Sequence, residues 1–127
     1  TQRHLELFEN NHGDRDNTLL DILDHTGCAM GSRLLKRWLG RPLRNRATIQ
    51  SRQKAIAELI GKQQDTHLHS LLRQVCDVQR IISRIALKSA RPRDLLQLRL
   101  TLGLLPELYN SLDTYTTELI KQLRSSL

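Results

Sequence analysis

The sequence predicts an all-α domain: a bundle of several helices, with one short strand at its N-terminal end. Three features carry that expectation. Leu and Ile supply most of the apolar content while aromatic residues make up only 3%, a mix suited to interdigitating helices rather than aromatic-rich sheets. Apolar residues recur at spacings of three and four along most of the chain. Start and stop signals punctuate those stretches, with Asn45 and Pro92 at starts and Gly40, Pro42 and Gly61 at stops. At 127 residues the chain is one domain with room for a core. Strand and loop are expected over residues 1–16 and helices over 17–127.

Arg3, Leu5 and Leu7 alternate with polar residues, the period of a strand. In a helical domain such a strand needs a partner from outside this chain. Residues 10–17 form a loop by composition. Asn17 or Thr18 then caps a short helix with Leu19, Leu20, Ile22 and Leu23, and Asp21 and Asp24 lie in its turns. Thr26-Gly27 breaks it. The next helix holds the only Trp. Met30, Leu34, Leu35, Trp38 and Leu39 share one face, so Trp38 is expected to be buried as the anchor of the core. Arg33, Arg37 and Arg41 step by four residues along another face, with Lys36 beside them. Gly40 suits a left-handed cap, and Pro42 cannot continue the ladder.

Asn45 is placed to cap a helix over about 46–60, with Ile49, Ile56, Leu59 and Ile60 on its stripe and Gly61 as its stop. Residues 63–66 connect it to a helical stretch over about 67–88, in which Asp77 caps a second half if the helix breaks near Cys76. Pro92 suits the first turn of the next helix. Its seam is Leu95, Leu98, Leu102, Leu105, Tyr109 and Leu112, a heptad pattern that packs along another helix. Leu96, Leu100, Leu104 and Leu108 add a second stripe, so this helix is expected to be buried between neighbours. Pro106 should kink or divide it. Leu119, Ile120, Leu123 and Leu127 mark a last amphipathic helix, expected to run on past the final residue.

The net charge of +7 is unevenly placed. Residues 1–30 balance at −4, residues 31–99 at +12, and residues 100–127 at −1. The positive middle suits nucleic acid or an acidic neighbouring domain. Arg33, Lys36, Arg37, Arg41 and Arg44 are the candidate phosphate or interdomain contacts, with Arg46, Arg52, Arg91 and Arg93 beyond them. The ordinary reading of such a ridge is a solvated, ion-paired face, and it outweighs phosphate contact here. Aromatics to stack single-stranded bases are scarce, and no helix-turn-helix or zinc-finger signature stands out.

Nothing in the pattern argues for catalysis, a cofactor or a metal. The six glycines contain no G-x-x-x-x-G-K-[ST] cradle. His67 and His69 are two apart, so on a helix they face different ways. Cys28 near His25 lacks an orienting third group. Cys28 and Cys76 are isolated, as expected of reduced cytoplasmic thiols. No apolar run approaches the roughly 20 residues of a membrane span, and no signal peptide is expected. The chain reads as a piece of something larger.

The run Asp24-His25-Thr26-Gly27-Cys28-Ala29-Met30-Gly31-Ser32-Arg33-Leu34-Leu35-Lys36-Arg37-Trp38-Leu39, followed by Arg41-Pro42-Leu43-Arg44, resembles the core domain of the DNA mismatch-repair ATPase family MutS. The likeness extends through Thr1–Leu7, Asn17-Thr18-Leu19-Leu20, Ala90–Leu95 and Leu105-Pro106-Glu107-Leu108, nearly the whole chain in order. It departs at Gly27-Cys28-Ala29, where the family often has a Thr or Val-Thr-Pro-like turn. The resemblance implies a helical bundle of the MutS core-domain type, the first half of a lever between a connector and a DNA clamp. It implies a non-enzymatic segment of a DNA-dependent ATPase. The parent would bind mismatched double-stranded DNA, ATP and magnesium, act as a homodimer, engage other domains of its own chain and a MutL-like partner, and work in the cytoplasm without a membrane. In this picture Trp38, Leu95, Leu98, Leu102, Leu105 and Tyr109 are core and lever packing residues. The rival readings are a free-standing basic helical nucleic-acid-binding module and, behind it, a helical adaptor for an acidic protein.

Overall fold

The computed structural model describes residues 5–10, 12–62 and 65–127. Among them lie seven helices: α1 (Leu19–Leu23), α2 (Ala29–Gly40), α3 (Arg46–Lys62), α4 (Asp65–Gln74), α5 (Val78–Ala86), α6 (Pro92–Ser111) and α7 (Glu118–Ser125). The described residues contain no strand, so the domain is an all-α bundle. In it α1 packs on α2, α3 on α4 and α7, and α6 on α4 and α5.

Leu5 and Leu7 lie in a turn rather than a strand, and Arg3 falls outside the described residues. The carbonyls of Glu6 and Leu7 instead accept the amides of Leu19 and Leu20 at 3.1 and 3.0 Å. The first amides of a helix have no partner within it, so a carbonyl-bearing turn laid across them satisfies both sides. Thr18 is the cap of α1: its fully buried hydroxyl accepts the Asp21 amide at 3.2 Å. Asn17 takes the left-handed conformation, φ 60°, and its amide donates to the Asp21 carboxylate at 3.2 Å.

Gly40 does not form a left-handed cap. It is the last residue of α2, and Arg41 closes the helix with φ −138°. The glycine leaves room for a neighbour, since a Cβ there would lie 3.3 Å from the Phe8 ring, a tight contact. Gly27, where the family resemblance lapses, is a tighter case: a Cβ would sit 3.0 Å from Leu72 Cβ, against α4. Asn45 caps α3 as expected, accepting the Thr48 amide at 3.0 Å. Gly61 does not stop α3, which continues to Lys62. A helical glycine costs only about 1 kcal/mol relative to Ala, a small cost to set against the length of α3.

The stretch over 67–88 does break, at residues 75–77, and Asp77 caps α5 by accepting the Arg80 amide at 3.2 Å. Helix α6 starts at Pro92 and runs unbroken through Pro106 to Ser111, so Pro106 does not divide it. Helix α7 spans Glu118–Ser125.

Two packing expectations are corrected. The inward face of α6 is Asp94, Leu98, Thr101, Leu105, Leu108 and Leu112, with Asp94 and Thr101 the most buried. Leu98, Leu105 and Leu112 keep their places in the seam, but Leu95, Leu102 and Tyr109 turn outward, as do Leu96 and Leu100. Buried polar groups need partners, and Asp94 and Thr101 find theirs on the inner side, which fixes the helix one position away from its apolar heptad. Trp38, in turn, is 42% exposed. The Arg52 guanidinium lies 3.7 Å from its ring centroid, so a cation from α3 covers the indole and not the core. The apolar cluster that does form is Ala55, Leu68, Tyr115 and Ile120, flanked by Leu59, Leu108, Leu112 and Leu119. It joins α3, α4, α6 and α7.

Candidate functional site

The described polar side chains work mainly as ties between helices. Arg33, on α2, reaches the cap of α5: its Nη1 and Nη2 donate to the two Asp77 carboxylate oxygens at 2.8 and 2.6 Å, and Nη2 also donates to Gln79 Oε1 at 2.9 Å. A bidentate fork fixes direction as well as distance. It holds the Asp77 carboxyl below the usual carboxylate range, helped by the Arg80 amide and opposed by burial. One residue earlier the Cys76 amide donates to Thr101 Oγ1 on α6 at 3.0 Å. The elbow between α4 and α5 is thus pinned from α2 on one side and from α6 on the other.

Asp24, after α1, forms a second tie. It accepts the hydroxyls of Ser32 and Thr26, the latter at 2.6 Å, and Arg15 Nη2 at 2.6 Å. The Ser32 hydroxyl is the chief cause, followed by Thr26, of a carboxyl drawn from its ordinary 3.8 to about 2. Asp94 accepts its own cap amide at Arg91, 2.9 Å away, and Arg84 Nη1 from α5 at 2.7 Å. The Arg91 amide is the first cause of its lowered pKa.

Glu58, on α3, caps a different helix. It accepts the Thr116 amide and hydroxyl at 2.6 and 2.8 Å and the Thr117 amide at 2.9 Å, just ahead of α7. The donors that Thr116 and Thr117 present hold this carboxyl far below its usual range, against the opposing effect of burial. Arg124 ties α7 to α6, donating from Nε to the Tyr109 carbonyl at 3.1 Å with its guanidinium 4.1 Å from the Tyr109 ring.

The five cations expected to make phosphate or interdomain contacts therefore part company. Arg33 is committed to Asp77 and Gln79. Lys36 lies 5.5 Å over the Phe8 ring. Arg37, Arg41 and Arg44 are exposed and form no ion pair with any described residue, and the same holds for Arg46. His67 and His69 do not converge: His69 Nε2 lies 3.0 Å from the His25 carbonyl, and His67 lies 3.8 Å from Glu107.

The short-range caps were readable from spacing, as with Thr18 to Asp21 or Asn45 to Thr48. The ties of Arg33 to Asp77 and of Glu58 to Thr116 span 44 and 58 residues. Neither has a local signal, because Asp77 also caps its own helix and Glu58 also pairs with Lys62 one turn along α3.

Fold and site together define a helical domain whose charged groups serve helix-to-helix contact, with a separate basic corner between α2 and α3. The chain belongs to the MutS domain III family, whose model matches residues 1–127. It is therefore a part of a mismatch-repair protein of the MutS type.

Proposed function

We propose that this chain is a mechanical segment of its parent, relaying the nucleotide state of an ATPase domain to the domains that hold mismatched DNA. The observation that best supports this is the pinned elbow. A relay must carry displacement without absorbing it, and packed helices joined by directional polar ties resist relative motion. Arg33 to Asp77 and Thr101 to Cys76 join α2, α5 and α6 at one point. A relay must also differ in free energy between two global states, which makes the elbow the place where a small change in tie strength alters communication.

On this reading the parent binds double-stranded mismatched DNA, works as a homodimer with a MutL-like partner in the cytoplasm, and takes ATP and magnesium elsewhere in its length. The residues of this chain do not fit that nucleotide: no glycine loop with its Lys is present, and the described residues hold no group of three potential metal ligands. No helix of the described residues is long and apolar enough to cross a membrane.

The test uses Arg33→Gln in the full-length parent. Mismatch affinity without nucleotide and ATP hydrolysis without DNA should both hold. ATP-driven loss of the mismatch complex should slow, by the roughly 5- to 150-fold that a coupling energy commonly represents. If all three stay at wild-type values in the folded variant, the elbow is ordinary scaffold.

A further inference from the structure

We propose that the corner where α2 passes to α3 docks the phosphate backbone of duplex DNA, through charge and without reading bases. The proposal rests on the parent being a DNA-binding protein, and adds a contact that the relay role does not require.

Residues 25–57 contain no Asp or Glu and eight Lys or Arg. Arg15, Arg33, Arg84 and Arg124 each hold a carboxylate, and the other exposed arginines outside this segment, Arg73, Arg80, Arg91, Arg93 and Arg99, are spread over 27 positions. Arg37, Arg41, Arg44 and Arg46 fall within ten residues, all exposed and none in an ion pair with a described residue. Arg41 follows Arg37 by four residues, its amide donating to the Arg37 carbonyl at 3.0 Å, so the two cations stand close together at the end of α2. Arg44 and Arg46 flank the Asn45 cap of α3, whose first turn has no acidic residue. The positive end of the α3 dipole therefore adds to the same field. Four like charges in so short a segment repel one another, a cost that an external polyanion relieves. Arginine forks match phosphate oxygens in pairs.

The corner also indicates which nucleic acid it suits. Single strands are held by stacking bases on bare aromatic rings. The one indole here, Trp38, already has Arg52 stacked 3.7 Å from its centroid. That leaves charge as the means of attachment and the duplex backbone as the partner.

The experiment titrates the 127-residue chain with a labelled, fully matched duplex of about 20 base pairs over a range of salt. Wild type should bind weakly, with Trp38 emission changing on saturation, since the only Trp stands in the corner. The quadruple variant R37Q/R41Q/R44Q/R46Q should lose at least about tenfold in affinity at low salt, and its slope of log K against log salt should shrink by about 0.9 for each phosphate contact removed. The charge-matched control R73Q/R80Q/R93Q/R99Q should keep most of the slope and the Trp38 response. If the quadruple variant unfolds, R41Q and R44Q singly should each still reduce the slope by about 0.9. Equal losses in the two quadruple variants would overturn the proposal, as would no loss in the corner variant. Polyglutamate of matched charge binding as tightly as the duplex would overturn it in favour of an acidic protein partner. No nucleotide is present in this assay, so its failure leaves the relay standing, and failure of the relay leaves this binding standing.

Discussion

Glu58 carries the contact between α3 and the start of α7, and that contact favours its charged form, lowering its pKa. Asp24, Asp77 and Asp94 are lowered in the same direction. A carboxyl with a lower pKa in the folded state binds its proton more weakly there than in the unfolded chain. The unfolded chain then takes up protons first as pH falls, and the stability these groups contribute is lost. Thermal unfolding should therefore be flat near neutrality and fall from about pH 4.5, the ordinary glutamate value, towards pH 2, near where Asp24 titrates in the folded chain. Glu58→Gln should lower the melting temperature at pH 7 and make the acid limb shallower; an unchanged limb would show that the carboxylate is not in this contact in solution. Trp38 belongs to the same scale. Its periodicity placed it on the apolar face, but a neighbour on α3 decides what covers it, and Arg52 lies 14 positions away. Because the ring is 42% exposed, Trp38→Ala should cost about 1–2 kcal/mol, below the 3–5 of a core aromatic. Its emission should be that of a partly hydrated indole, and it should shift in Arg52→Gln.

At the scale of elements, the lesson lies in α6. The heptad of Leu98, Leu105 and Leu112 was legible because apolar spacing reports a seam. Its other half was not, because Asp94 and Thr101 are polar and their partners, Arg84 and Cys76, lie on other elements 10 and 25 residues away. Satisfying two buried polar groups outweighed turning Leu95 and Leu102 inward. The break at Cys76 and the starts at Thr18, Asn45 and Pro92 were legible, because capping is local chemistry. The fate of Gly61 and Pro106 was not, since each residue reports a tendency to break a helix, and α3 and α6 continue through them. Two substitutions check the register of α6 against its neighbour α5. Ile81→Ala, at a residue 4% exposed, should cost about 2–5 kcal/mol. Leu102→Ala, at a residue 53% exposed, should cost less than about 1 kcal/mol. Denaturant midpoints read both, and a larger loss at Leu102 would return it to the core.

For the whole molecule, sequence made the basic middle visible but not its division of labour. Arg33 and Arg37 look alike as neighbours on one ridge; only the folded chain shows that one is a tie and the other is open to a partner. The central claim is that α2, the elbow and α6 move as one body when the parent changes nucleotide state. Spin labels at Lys36 on α2 and Leu100 on α6, both exposed, measure that directly in a parent whose other cysteines have been replaced. A relay that does not yield predicts one narrow distance, the same with and without ATP, and a broader or nucleotide-dependent distance once Arg33→Gln removes the tie. A wild-type distance that shifts by about 5 Å, one helical pitch, between the two states would mean that the domain absorbs the motion instead of passing it on.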